Sequence, residues 1–301
     1  MPTVYRSTDT DAPVLTGLVG SLITVLDACL VNGYTDRPAA GWTKAFSGTN
    51  KAAYRNDHTA GASGAYFLVE DDAPGSTSGG DSRLRAYGTM SAIDAGTDDT
   101  DPEWFRKGAA SGDARPWVLA ADGMTFWLYS WDNGDSTGGD RDANMCGAGD
   151  YICIDAENAF RYFVIGNESS GDTPNRFYAR RSSLIAQTVN PDGVSGKTRV
   201  STVPPPNSFT ASQGNGGSSS PDSSFTSAVH FDEFIIHSGQ QLLGRLRGVK
   251  RPINNMLGIA GIERGQEVAS TGLIWTMVNA SGAASGSANL GAMMIDTAGP
   301  W

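Results

Sequence analysis

Three cysteines and three histidines in 301 residues leave little for the chemistries that depend on them. Cys29, Cys146 and Cys153 are too few for a disulfide framework. His58, His230 and His237 are the only imidazoles available for a catalytic base or a zinc site. Positive charge is scarce too: 22 Lys and Arg face 32 Asp and Glu, a net of −10. Such a field repels phosphate backbones and anionic lipid, so neither nucleic acid nor a membrane is expected as a partner. Long apolar runs are missing. The longest candidate, 18–31, is broken by Gly20, Ser21, Thr24 and Asp27 and falls short of the ~20 apolar residues of a membrane helix. The opening MPTVYRSTDTDAP lacks the basic start and apolar stretch of a secretory leader. The expectation is a protein kept in the cytoplasm that makes it, until assembly or lysis.

What is abundant is glycine, 38 residues, in a chain whose hydrophobic residues come in short runs. That texture predicts a mainly β protein. The expected fold is an antiparallel sandwich or barrel-like core with one N-terminal amphipathic helix and long Gly/Ser/Asp-rich loops. The helix begins after a cap at Thr16, carries Leu18, Val19, Leu22, Ile23, Leu26 and Leu30 at helical spacing, and stops at Gly33. Its wide apolar stripe predicts packing against a sheet or a partner subunit, with Leu18, Leu22, Leu26 and Leu30 as interface candidates. Strands are predicted over 41–46, 51–55, 66–69, 83–87, 117–121, 125–129, 151–154, 161–165, 176–179, 231–236, 242–249, 273–278 and 292–295. The polar stretch from Asp71 to Ser82 has the composition of an exposed hairpin tip. Asp122-Gly123 between two β-favouring runs predicts a tight hairpin with both turn residues at positive φ. Stiff Val203-Pro204-Pro205-Pro206 and flexible 214–220 divide the chain. The division is an arm and helix (1–35), a main β domain (36–202), a linker or long loop (203–222) and a C-terminal β region (223–301). That last region is either a separate domain or part of the same sandwich.

Gly196-Lys197-Thr198 lacks the first glycine of a phosphate loop, because Pro191 stands there. Gly134-Asp135-Ser136-Thr137-Gly138 has the letters of a nucleophile elbow, but polar loop residues flank it where a strand and a helix are required. His230 and His237 are seven apart on a predicted strand and so point to opposite faces. Calcium has better material: Asp132, Asp135, Asp140 and Asp142, with Asn144, crowd one Gly-rich loop, and Asp98, Asp99 and Asp101 another. Carboxylates on flexible loops suit calcium. From Asp140, however, the twelve-residue loop pattern places Met145 where glycine belongs and Tyr151 where glutamate belongs. Calcium therefore stays a candidate on those four aspartates, and no other cofactor is expected. Trp104, Trp117, Trp127 and Trp131 could line a sugar groove beside paired carboxylates, although tryptophan on a strand is more often core or interface. Gly244-Arg245-Leu246-Arg247-Gly248 stands out in an acidic chain. On a strand, Arg245 and Arg247 share one face and could fork onto carboxylates of a neighbouring subunit.

Several blocks carry a resemblance. Val4-Tyr5-Arg6-Ser7-Thr8-Asp9, Ala12-Pro13-Val14-Leu15-Thr16-Gly17 and Gly20-Ser21-Leu22 open it. Leu26-Asp27-Ala28-Cys29-Leu30-Val31-Asn32-Gly33-Tyr34, Ala40-Gly41-Trp42-Thr43-Lys44 and Phe46-Ser47-Gly48-Thr49-Asn50-Lys51-Ala52 continue it. This run resembles a family of virion-associated proteins of tailed bacteriophages and prophages. Arg85-Ala86-Tyr87, Arg115-Pro116-Trp117 and Leu243-Gly244-Arg245-Leu246-Arg247-Gly248 are similar to later blocks in the same order. The likeness is dense over the first sixty residues and sparse from Ser130 to Ser227. It implies a structural, non-enzymatic role in the particle and brings no catalytic residues with it. The expected partners are copies of the chain itself and the major capsid protein, or tail and neck proteins. Capsid decoration is the first expectation, and a tail, neck or baseplate component the second. A glycan-binding or glycan-degrading tail module and a free host-cell enzyme are the rivals from other classes.

Overall fold

Short β-favouring runs between glycine-rich turns become two antiparallel sheets in a computed structural model of the chain. The structure describes residues 1–71, 81–107, 112–131, 144–155, 158–166, 185–189, 197–203, 231–238, 241–252, 267–268, 272–279 and 290–301. The chain opens with β1 (Thr3–Arg6) and passes through α1 (Ser21–Leu26). It then lays down β2 (Thr43–Gly48), β3 (Lys51–Arg55), β4 (Tyr66–Glu70), β5 (Asp81–Ala92), β6 (Ala95–Asp99) and β7 (Glu103–Arg106). Strands β2 to β7 form the smaller sheet. The twelve-residue β5 is shared, pairing with β7 through its first half and with β6 through its second, on the edge opposite β4.

The larger sheet takes β8 (Trp117–Ala121), β9 (Thr125–Ser130), β10 (Asn144–Asp150), β11 (Ile152–Cys153), β12 (Tyr162–Ile165), β13 (Ile185–Val189) and β14 (Lys197–Val203). It continues through β15 (Phe231–Ser238), β16 (Gln241–Pro252), β17 (Glu267–Val268), β18 (Leu273–Asn279) and β19 (Leu290–Asp296). Strand β1 adds to its β8 edge. Strand β14 pairs with β15, so one sheet runs from before the Pro/Gly/Ser-rich stretch to after it.

Three layers result, because the larger sheet folds back on itself. Trp117, Leu119, Ala121, Phe126 and Leu128 face the smaller sheet, meeting Trp42, Tyr54, Phe67, Val69, Leu84 and Phe105. From the other face of the same strands, Val118, Ala120, Trp127, Tyr129 and Phe163 meet Leu243, Leu246, Val249, Ile274 and Ile295. Strands buried on both faces read as continuous apolar runs. That is why every residue of β8 and β9 is buried.

Several expectations are corrected here. The helix starts at Ser21, behind a left-handed Gly20, and not at Thr16. Thr16 makes a local turn, its hydroxyl accepting from Leu18 N–H and its carbonyl from the Ser21 hydroxyl. After Leu26 the helix widens into a π turn, Asp27–Asn32, which ends at Gly33 with φ 71°. The proposed interface leucines divide. Leu22, Leu26 and Leu30 are fully buried in the chain's own core between helix and sheets, while Leu18 is 51% exposed. The β8–β9 hairpin forms, but neither Asp122 nor Gly123 adopts positive φ. The Asp122 carboxylate instead accepts from Met124 and Thr125 N–H and closes the turn through its side chain. Asp71 and Ser82, the ends of the predicted exposed tip, are both fully buried, and 72–80 between them lie outside the described residues. Strand β10, with two glycines and no β-branched residue, falls where a loop was expected. Gly147 sits directly opposite Trp127, whose ring fills the space where a Cβ would stand, 2.3 Å away.

Candidate functional site

The side chains that sequence reasoning singled out are dispersed. Arg247 pairs with Asp122 at 2.9 Å, and Arg245 pairs with Glu233 on the adjacent strand. Both guanidinium groups thus find carboxylates within the chain, and the Arg245–Glu233 pair stays about 43% exposed. Asp132, Asp135, Asp140 and Asp142 lie outside the described residues, as does 176–179. Asp98 and Asp99 belong to β6, where the Asp98 side chain accepts from Thr97 and Asp99 pairs with Arg85. Among the described residues no group of three or more His, Cys, Asp or Glu side chains could hold a metal ion. Trp117 and Trp127 are buried in the core, and Trp131 stacks on Tyr129 with centroids 5.3 Å apart. His58 contacts its own loop at the Ala62 carbonyl, 3.3 Å away. No described helix is long and apolar enough to cross a membrane.

What the fold does assemble lies on the outer face of the smaller sheet. Alternation places Lys51, Ala53 and Arg55 of β3 on that face, with Tyr66, Leu68 and Glu70 of β4 and Arg83, Arg85 and Tyr87 of β5. Register turns these into cross-strand rows. Lys51, Glu70, Arg83 and Trp104 stand side by side across β3, β4, β5 and β7. Lys51 bridges Glu70 at 2.6 Å and Asp94 at 2.7 Å, Arg83 pairs with Glu70, and the Arg83 guanidinium lies 5.4 Å from the Trp104 ring centre. A second row carries Arg55, Tyr66, Tyr87 and Asp99. In it Arg55 stands 5.2 Å from the Tyr66 ring centre, and Phe46 stacks on the same tyrosine at 6.0 Å.

Between the rows is a recess of about 70 Å³. Its floor is Leu68 and Tyr87, both nearly buried, and Glu70, Arg83, Arg85, Asp94 and Pro102 surround it. The hollow has a cause in the backbone. At Ala86 the neighbour of β5 changes from β6 to β7, and Thr100 holds the crossing by two hydrogen bonds with the Ala86 main chain. Burial pulls the Lys51 ammonium down, but its bonds to Asp94 and Glu70 outweigh that and hold it above its ordinary value. Arg83 Nε is buried without a hydrogen-bond partner.

Against protein-family models and curated proteins, the chain matches none.

Two further polar clusters fasten layers together. Asp150, in β10, accepts from Asn56 Nδ2 at 2.8 Å and from the Ser63 N–H and hydroxyl at 2.6 Å each, tying the loop after β3 to the larger sheet. Burial dominates its surroundings and raises its pKa. Asp71 accepts from Leu22 N–H at 2.9 Å, from the Ser82 hydroxyl at 2.6 Å and from Lys107, whose ammonium also reaches the Leu18 carbonyl at 2.6 Å. Sequence reasoning missed all three assemblies, since contacts such as Ser82–Asp71 and Asn56–Asp150 join residues 11 and 94 apart.

Proposed function

We propose that this chain is a structural component of a tailed-bacteriophage particle, placed first as a capsid decoration protein. One observation carries the reading. Val14, Leu18 and Val19 expose 58%, 51% and 57% of their surface along one short stretch, although the backbone beneath is pinned. Lys107 holds the Leu18 carbonyl, Arg115 N–H holds the Leu15 carbonyl at 2.8 Å, and Asp71 fixes the helix that follows. Exposed aliphatic side chains on a fixed backbone favour burial against another protein, because little backbone freedom is lost on contact. The stretch lies inside the densest part of the resemblance to virion-associated proteins, which supports a phage particle as the setting. The pairing of Arg245, Arg247, Lys51, Arg83 and Lys107 with carboxylates of the same chain suits a scaffold that keeps one shape.

Mass spectrometry of purified particles, quantified against the major capsid protein, tests the reading. Hundreds of copies are expected for decoration. Three, six or twelve copies would move the protein to the neck, tail or baseplate, and absence from the particle would overturn the proposal.

A further inference from the structure

We infer that the recess on the outer face of the smaller sheet is a binding site for a single neutral sugar ring. The inference rests on that sheet face alone and stands whether or not the chain belongs to a virion.

Charge excludes the first alternative, an ionic ligand. Lys51, Arg83 and Arg85 bring three positive charges, and Glu70, Asp94 and Asp99 bring three negative ones, each already opposite a partner. A free anion or cation meets a neutral wall. A vicinal diol fits it better, because every hydroxyl both donates and accepts. Glu70 and Asp94 line the same hollow as Arg83 and Arg85, so it offers both acceptors and donors.

Size and preorganisation point the same way. One water needs roughly 10–15 Å³ of such volume, so a 70 Å³ recess holds about five waters, enough for one edge of a pyranose but not for a chain of sugars. Leu68 and the Tyr87 ring close the floor at 3% and 5% exposure, so a ligand meets mainly the polar rim. The polar side chains are fixed beforehand: Lys51 bridges two carboxylates, and Arg83 lies between Glu70 and the Trp104 ring. Ordering them costs a ligand little. With so small a contact the Kd falls on the order of millimolar.

Saturation-transfer NMR on the whole chain, with methyl α-glucopyranoside, methyl β-galactopyranoside and N-acetylglucosamine as probes, provides the test. Two variants spare the fold. Asp94 is 53% exposed at φ 61°, a conformation asparagine accepts, and the Arg85–Asp99 pair is about one-third exposed on each side. The expected result is transfer to ring protons of at least one glycoside. Binding should weaken by at least about tenfold in Arg85→Met and in Asp94→Asn, with melting temperatures near that of the wild type. The inference is overturned if no glycoside receives saturation. Transfer that persists in both variants, or transfer that is abolished by millimolar inorganic sulfate, would overturn it equally.

Discussion

At the scale of single residues, glycines decide how closely the layers approach. At Gly147 any Cβ would sit 2.3 Å from the Trp127 ring, and that ring is locked by its Nε1–H donating to the Arg247 carbonyl at 2.8 Å. Gly147→Ala is therefore expected to lower stability by about 1–3 kcal/mol, read as a lower denaturation midpoint. Two carboxylates respond to pH with opposite sign. Around Asp9 burial works to raise the pKa, but hydrogen bonds from Arg37, Arg6 N–H and Tyr34 outweigh it and leave the value below the ordinary 3.8. Its contribution is present above that value and is lost as pH falls through the folded pKa. Asp150 lies above 3.8, chiefly through burial. Its contribution is complete below the unfolded value and fades as pH rises through the folded one. Denaturation curves between pH 2 and 7 should show Asp9→Asn costing about 2 kcal/mol at neutral pH, a modest figure because Arg37 is 38% exposed. That deficit should shrink in acid. Asp150→Asn should gain on the wild type as pH rises.

At the scale of elements, most single strands were legible and most of what joins them was not. Tyr66–Glu70, Trp117–Ala121 and Thr125–Ser130 announce themselves by β-favouring side chains, and Gly33 marks the end of the helical stretch. Strand β10 hides because its glycines serve Trp127 on the neighbouring strand, a requirement that local composition does not carry. The helix start is hidden in the same way, since its cap is Asp71, 49 residues away. The residues that line the recess come from two strands, β4 and β5, and from the segments on either side of β6, so only register brings them together. Two tests belong at this scale. Asp122→Ala removes both the turn closure and the Arg247 pair, and about 1–3 kcal/mol should be lost. Lys107 and Asp71 are 1% and 0% exposed, so Asp71→Ala leaves an ammonium buried without its counter-charge. A loss of about 3–5 kcal/mol follows, whereas replacing both partners by apolar residues should restore part of it.

At the scale of the whole molecule, the larger sheet is its own second wall. Strands β16, β18 and β19 cover the side of β8, β9 and β12 that faces away from the smaller sheet. A fragment ending at residue 222 should therefore expose Val118, Trp127, Tyr129 and Phe163 and bind a hydrophobic dye that the full chain does not. The layered body leaves Val14, Leu18 and Val19 exposed on a stretch whose backbone is held at Leu15 and Leu18. The most direct measurement is the amount of this protein in particles assembled with either the wild type or the Leu18→Glu/Val19→Glu variant, whose substitutions fall on exposed side chains. The account predicts wild-type protein in the particle and at least about tenfold less of the variant, despite an unchanged melting temperature. Particles that lack the wild type, or that retain the variant at the wild-type level, would contradict it.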